Sequence, residues 1–280
     1  TDLKSAAGSL IDMVVQDVQT PYYSKVALAP FSVALNAGSY ADGARGAVIG
    51  TKTITDASWT TGASKSITKI TKGSTTTVTS SNHGFQNGDV VYITGVNGMY
   101  QVNNQYYTVA NKAKNTFRLS GVNSSYWNNY NSGGTIRKCQ VSDCGIVITA
   151  NGHGYNDGDL VYILGVKGMT DLNDEVFTVA NASTNTFSLS GTSGPSYDDY
   201  TSGGTAYCLV AGCQYYRFTD RYGYTRIHEI TTCVSERIGT SAYTNTAPST
   251  APVGRVYMDD PDGCPSATIM PLSTSKTDLK

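Results

Sequence analysis

The period of the apolar positions changes along the chain, and each period predicts a different kind of element. Leu3, Ala6, Ala7, Leu10, Ile11, Val14, Val15 and Val18 recur at three- and four-residue spacing. That spacing predicts a helix with one apolar face, its first amides capped by Thr1 or Asp2. After Pro21, the run Ser24-Lys25-Val26-Ala27-Leu28-Ala29-Pro30-Phe31 reads as a buried strand. Helix then short apolar strand predicts an α/β sheet with helices on its faces, which residues 1–40 cannot complete alone. Further on the period falls to two. Val90-Val91-Tyr92-Ile93, Tyr106-Tyr107-Thr108-Val109 and Thr116-Phe117-Arg118-Leu119 are separated by Asn-Gly and other Gly-rich stretches, as short strands with tight turns are. Near the end, Ile230-Thr231-Thr232-Cys233-Val234-Ser235-Glu236-Arg237 is again strand-like. It is followed by a Thr/Ser/Pro-rich loop near 244–254 and by Ile269-Met270-Pro271-Leu272.

The strand-rich middle is a repeat. His83-Gly84-Phe85-Gln86-Asn87-Gly88-Asp89-Val90-Val91-Tyr92-Ile93 returns 70 residues later as His153-Gly154-Tyr155-Asn156-Asp157-Gly158-Asp159-Leu160-Val161-Tyr162-Ile163. The register holds through Gly98-Met99 and Gly168-Met169, Asn115-Thr116-Phe117 and Asn185-Thr186-Phe187, and Ser132-Gly133-Gly134-Thr135 and Ser202-Gly203-Gly204-Thr205. A unit of this length with several short strands closes most readily as a small barrel, because closure removes exposed strand edges. The expectation is therefore two tandem β-barrels, at 64–139 and 140–213. The motif His-Gly-aromatic-x-x-Gly-Asp-x-Val-Tyr-Ile, with Gly-Val-x-Gly-Met and Asn-Thr-Phe-x-Leu-Ser-Gly after it, resembles a module of bacterial and phage surface proteins. That module is similar to the first catalytic-cysteine half-domain of ubiquitin-activating enzymes. The resemblance implies a barrel and no chemistry, since neither copy carries an adenylation site or a positioned nucleophilic cysteine.

The flanks, expected as the two segments of one domain at 1–63 and 214–280, carry a second resemblance over roughly residues 1–45 and 214–280. A Leu-Lys-x-Ala-Ala helix, a Lys-Val-Ala-Leu-Ala-Pro-Phe-Ser strand, Cys-Val-x-Glu-Arg, Cys-Pro and Pro-Leu-Ser-x-x-Lys-x-x-Leu-Lys are similar to the von Willebrand factor A-like domain of TadG-type proteins of the tight-adherence pilus machinery. The implied fold class is α+β: a split A-like α/β domain with two small β-barrels inserted, predominantly β overall. The family's Asp-x-Ser-x-Ser metal motif precedes the first helix, where this sequence starts, so the resemblance assigns no metal to these residues.

Composition narrows the functional classes. With 20 Lys+Arg against 21 Asp+Glu, and only 15% charged residues, the chain lacks the clustered cations that nucleic acid requires. Its 29 Gly and 20 Tyr suit a β-rich extracellular protein and not a disordered one. No apolar run approaches the length of a membrane helix, so membrane attachment is expected only through a segment outside this sequence. Cys139, Cys144, Cys208, Cys213, Cys233 and Cys264 form an even set in a polar, Tyr-rich context, which favours disulfides and an extracytoplasmic location. Zinc is the weaker reading, because both C-x4-C pairs are loosely spaced and no His lies near the second. Six cysteines allow 15 connectivities. The repetition motivates Cys139–Cys144 and Cys208–Cys213, leaving Cys233 with Cys264.

Candidate chemistry is sparse. His83 and His153 precede a Gly at the same repeat position, which fits a turn histidine. His228 fits a half-exposed strand residue. Asn156-Asp157-Gly158-Asp159 and Asp259-Asp260-Pro261-Asp262-Gly263 hold oxygen ligands near turns without EF-hand spacing, and turn chemistry explains both. Tyr126, Trp127 and Tyr130, echoed by Tyr197 and Tyr200, could stack on sugar rings or a protein partner, with core or loop packing as the competing explanation. No phosphate loop and no triad occurs. The expectation is a non-enzymatic, extracytoplasmic structural or adhesive protein without cofactor. It would serve pilus assembly or surface attachment, with protein partners of that assembly and self-association. The alternative is a phage or secreted carbohydrate-binding module that takes glycans.

Overall fold

A computed structural model describes residues 2–21, 23–29, 34–237, 239–244, 246–258 and 263–279. The chain is predominantly β and divides into two compact units, one formed by residues 1–50 with 208–280 and the other by residues 51–207.

The first unit opens with α1 (Asp2–Val14), followed by β1 (Val26–Leu28), β2 (Leu35–Asn36) and α2 (Ala41–Arg45). Only part of the apolar stripe of α1 is covered. Ile11 and Val15 are buried with Leu279 against Val26, Leu28 and Met270, whereas Leu3, Leu10 and Val18 are exposed.

The second unit then runs through β3 (Lys52–Thr53), β4 (Asp56–Ser58), β5 (Thr60–Ser66), β6 (Lys69–Thr71), β7 (Thr76–Thr79), β8 (Val90–Asn97), β9 (Gln105–Ala110), β10 (Thr116–Leu119), β11 (Ser132–Cys139), β12 (Val147–Thr149), β13 (Leu160–Leu164), β14 (Glu175–Ala180), β15 (Thr186–Leu189) and β16 (Thr205–Cys208). These strands make two seven-stranded sheets, ordered β5-β11-β8-β9-β10-β7-β6 and β3-β16-β13-β14-β15-β12-β4. In each, the two end strands are consecutive in the chain, so the sheet curls until its edges meet in one kinked segment. At the kinks, Ile67 and Thr68 donate to Gly134 O and Thr79 O, and Ile54 and Thr55 donate to Gly204 O and Thr149 O. The registers also correspond: Val91 faces Tyr107 and Val161 faces Phe177. Alternation fills each interior with one residue in two, including Val91, Ile93, Val109 and Phe117 in the first sheet and Val161, Ile163, Val179 and Phe187 in the second.

The barrels are nested rather than strictly tandem. β3 and β4 lie upstream of the entire first barrel yet pair with β16 and β12 of the second. The first barrel begins at Thr60, where β5 pairs with β11, so residues 51–63 belong to the barrels and not to the flanking part. The physical reason is closure: without β3 and β4, the β16 and β12 edges of the second sheet would stand unpaired.

The chain returns to the first unit as β17 (Tyr215–Thr219), β18 (Thr225–Ser235), β19 (Gly254–Tyr257), β20 (Met270–Ser273) and α3 (Lys276–Leu279). β18 pairs with β17, β19 and β2, and β1 pairs with β20. All these ladders are antiparallel. The helix-covered α/β sheet expected from the flanks is therefore not what the described residues form, and the A-like architecture is not seen. Pro30 and Phe31 of the expected first strand lie outside the described residues.

Candidate functional site

The repeated histidines are turn residues. The ring Nδ1 of His83 accepts the Phe85 amide proton at 3.0 Å, and His153 accepts that of Tyr155 at 2.9 Å. Both bonds span a Gly with positive φ, Gly84 and Gly154, which a side chain would disfavour. The rings are buried and lie edge-on to Phe117 and Phe187, centroids 5.2 and 5.1 Å apart. Since Nδ1 accepts, hydrogen-bond geometry assigns the ring proton to Nε2. His153 Nε2 donates it to Thr186 O at 3.2 Å, and burial lowers the His153 pKa below the ordinary value. His228 sits half-buried on β18, 5.2 Å from the ring of Phe218.

The aromatic positions divide by role. The single Tyr130 hydroxyl proton is shared between Ile67 O and Gly133 O, at 3.1 and 3.0 Å. Tyr200 repeats this, its single hydroxyl proton shared between Ile54 O and Gly203 O at 3.2 and 3.0 Å. Each fastens the loop before the last barrel strand to the kink of the first. Trp127 packs with Tyr130 on the first barrel core, and Tyr197, at the matching position, is half-buried. Burial raises the pKa of Tyr130, Tyr197 and Tyr200. Beneath these loops a Cβ on Gly98 would lie 2.2 Å from Asn129 O, and one on Gly168 2.2 Å from Asp199 O. Tyr126, without an aromatic counterpart in the second copy, is 97% exposed.

The acidic loop at 156–159 is closed by its own chain. Asp159 accepts from the Asn156 amide and Asp157 from the Ala182 amide, each at 2.8 Å. In the first copy, Asp89 and Asn87 do the same for Gln86 and Lys112. Asp259, Asp260, Pro261 and Asp262 lie outside the described residues. Among the described residues, no group of three or more His, Cys, Asp or Glu is arranged to hold a metal ion. The six cysteines form Cys139–Cys144, Cys208–Cys213 and Cys233–Cys264, with Cα separations of 4.9, 5.5 and 5.7 Å. Three disulfides fit an oxidising, extracytoplasmic compartment. No helix among the described residues is long and apolar enough to cross a membrane.

Two features escaped sequence reasoning. Trp59, between β4 and β5, is almost fully buried. It meets the Tyr92 ring edge-on at 5.6 Å, with the Arg137 guanidinium 5.6 Å from its ring. A Cβ on Gly194 would lie 2.1 Å from Trp59, and Tyr106 hydrogen-bonds Ser193 at 2.9 Å. Trp59 thus seats the second barrel against the first, and the one available signal was Gly194 standing where the first copy has Ser124. The second feature is the β17–β18 hairpin. Tyr222 and Tyr224 are exposed near its turn, with the Arg221 and Arg226 guanidiniums 4.7 and 5.6 Å from their rings. Tyr and Arg are enriched in protein interfaces.

Two stretches of the chain, residues 71–140 and 144–209, each match the family model of the ubiquitin-activating enzyme E1 FCCH domain. They cover most of the two barrels and, of the flanking unit, only Cys208 and Leu209. The search of curated proteins found no match.

Proposed function

We propose that this chain is a non-enzymatic, extracytoplasmic structural or adhesive protein, a component of a bacterial pilus-assembly or surface-attachment apparatus. The observation that carries the reading is the use made of the repeated residues. His83 and His153, Tyr130 and Tyr200, and Asp89 and Asp159 are all engaged by the barrel's own backbone. The features left facing solvent, Tyr126 and the Tyr222–Tyr224 hairpin, are contact surfaces of the kind that bind a partner through area and hydrogen bonds. The three disulfides support a place outside the cytoplasm, and the exposed Tyr222–Tyr224 hairpin with its arginines supports assembly with protein partners.

Protein partners of such an assembly, including further copies of the chain, fit these surfaces. Weak single contacts gain strength by repetition along a filament. The exposure of Tyr126 beside half-buried Trp127 supports the second reading, a carbohydrate-binding module of phage or secreted type. One pair of measurements separates them: the oligomeric state of the full chain against concentration, and its binding to a glycan array. Concentration-dependent association weakened by Tyr222→Ala and Tyr224→Ala, with an unresponsive array, supports assembly. Saccharide binding lost in Tyr126→Ala supports the glycan reading and sinks the first.

A further inference from the structure

One turn of the first barrel differs from its repeat in a way the fold does not require. The turns Asn82–Gln86 and Lys112–Lys114 line a recess of about 460 Å³, within the size range of small-ligand sites. His83 lines it and is 3% exposed. Its Nδ1 is committed to the Phe85 amide, so Nε2 carries the proton, yet Nε2 is buried and has no hydrogen-bond partner. A buried donor without an acceptor is costly, and supplying the acceptor recovers that cost.

Lys112 and Lys114 line the same recess, are exposed, and make no ion pair among the described residues. The carboxylate of this turn, Asp89, is already engaged by the Gln86 amide at 2.8 Å and by Lys138 at 2.8 Å. The recess therefore offers donors and positive charge. In the second copy the lysines are replaced by Ala182 and Thr184, and His153 Nε2 is satisfied by Thr186 O. Two changes that would together create an anion site thus occur in one copy and neither occurs in the other.

We propose that the recess beside His83 binds a small oxyanionic ligand, its carboxylate or sulfate pairing with the Lys112 and Lys114 ammonium groups and, after a small parting of the two turns that uncovers the atom, accepting from His83 Nε2. The volume accommodates a body of about one sugar ring carrying that anion. The proposal stands apart from the attachment reading, since such a ligand would bind whether or not the chain serves assembly.

The test is a titration of the full chain, labelled with nitrogen-15 at its imidazoles, with glucuronate, glucose 6-sulfate, inorganic sulfate and glucose. The expected result is a saturable shift of the His83 Nε2 resonance with the anions, none with glucose, and none at His153. The double variant Lys112→Ala, Lys114→Thr, which copies the second turn at exposed positions, should bind about tenfold more weakly or worse. Tighter binding of the sugar anions than of inorganic sulfate identifies an acidic saccharide, and equal binding identifies a free anion in the same site. No response of His83 to any anion, an equal response to glucose, or binding unchanged in the double variant would overturn the proposal.

Discussion

Replacing Gly98 by Ala separates two costs that a glycine can hide. Gly98 and Gly88 both have positive φ, 87° and 92°, so Ala at either meets the left-handed penalty of about 1–2 kcal/mol. Around Gly88 an added Cβ meets nothing within 4 Å, whereas at Gly98 it would lie 2.2 Å from Asn129 O and 2.9 Å from Asn131 N. The loop must lift, at an overpacking cost of about 1–3 kcal/mol. Lifting also loosens the shared hydrogen bond of the Tyr130 hydroxyl to Ile67 O and Gly133 O, which contributes about 1 kcal/mol. Gly98→Ala should therefore destabilise the barrel unit by about 3–6 kcal/mol and Gly88→Ala by about 1–2 kcal/mol. The left-handed penalty is common to both, so at about 2–4 °C per kcal/mol for a domain of this size the remaining difference of about 2–4 kcal/mol separates the Tm values by about 4–16 °C. Thermal unfolding by circular dichroism reads it directly. Equal Tm values for the two variants would refute the claim that the Asn129 loop lies fastened against the barrel.

The disulfides should differ in contribution because they close loops of different length, separations of 31 residues for Cys233–Cys264 and 5 for Cys139–Cys144. Loop entropy assigns about 4 and about 2 kcal/mol. Denaturation of the two double-Ser variants should rank them so, and the reverse order would count against the entropic account. In alkali, burial pushes the Tyr107 hydroxyl up to about 12 from an ordinary value near 10. The unfolded chain then loses this proton first, so the contribution to stability is intact below pH 10 and is lost as pH rises toward 12. Tyr107→Phe should flatten that part of a pH–stability curve, and an unchanged slope would contradict the assignment. In acid, the lowered pKa of His153 means that its contribution is present above the unfolded value near 6.5 and declines as pH falls through the folded one. Imidazole NMR should show the neutral form of His153 in the majority at pH 6.5, and a majority of the charged form there would contradict the shift.

Much of the barrel pair was legible in the sequence, because the 70-residue shift preserves the turn glycines, the turn histidines and the alternating strands together. Local pairing of the cysteines followed from the same repeat, one residue out of step, Cys139 and Cys144 returning 69 residues later as Cys208 and Cys213. The nesting was not read, because β3 and β4 repeat at a different offset. Lys52-Thr53-Ile54-Thr55 echoes Lys65-Ser66-Ile67-Thr68 at a shift of 13, a signal too short to stand out beside the longer repeat. The flanks misled for a physical reason: a helical stripe and short apolar strands are shared by parallel α/β sheets and by small antiparallel ones, and period alone cannot tell them apart. Among the candidate aromatics, Tyr130 and Tyr200 carried no local mark of their role, since their acceptors lie in the chain at Ile67 and Ile54.

The central claim is that the barrel unit carries the adhering surface, while the Tyr222–Tyr224 hairpin of the flanking unit serves association between copies of the chain. Its ends permit a clean excision, since Lys52 pairs with Ala206 and neighbouring antiparallel strands bring such residues within about 5.5 Å. The most direct measurement is adherence of cells displaying the full chain, compared with cells displaying a chain joined from Gly50 to Cys208, with surface amounts matched by antibody. Adherence should be lost with residues 51–207 absent, while unchanged adherence would move the function to the flanking unit and contradict the account.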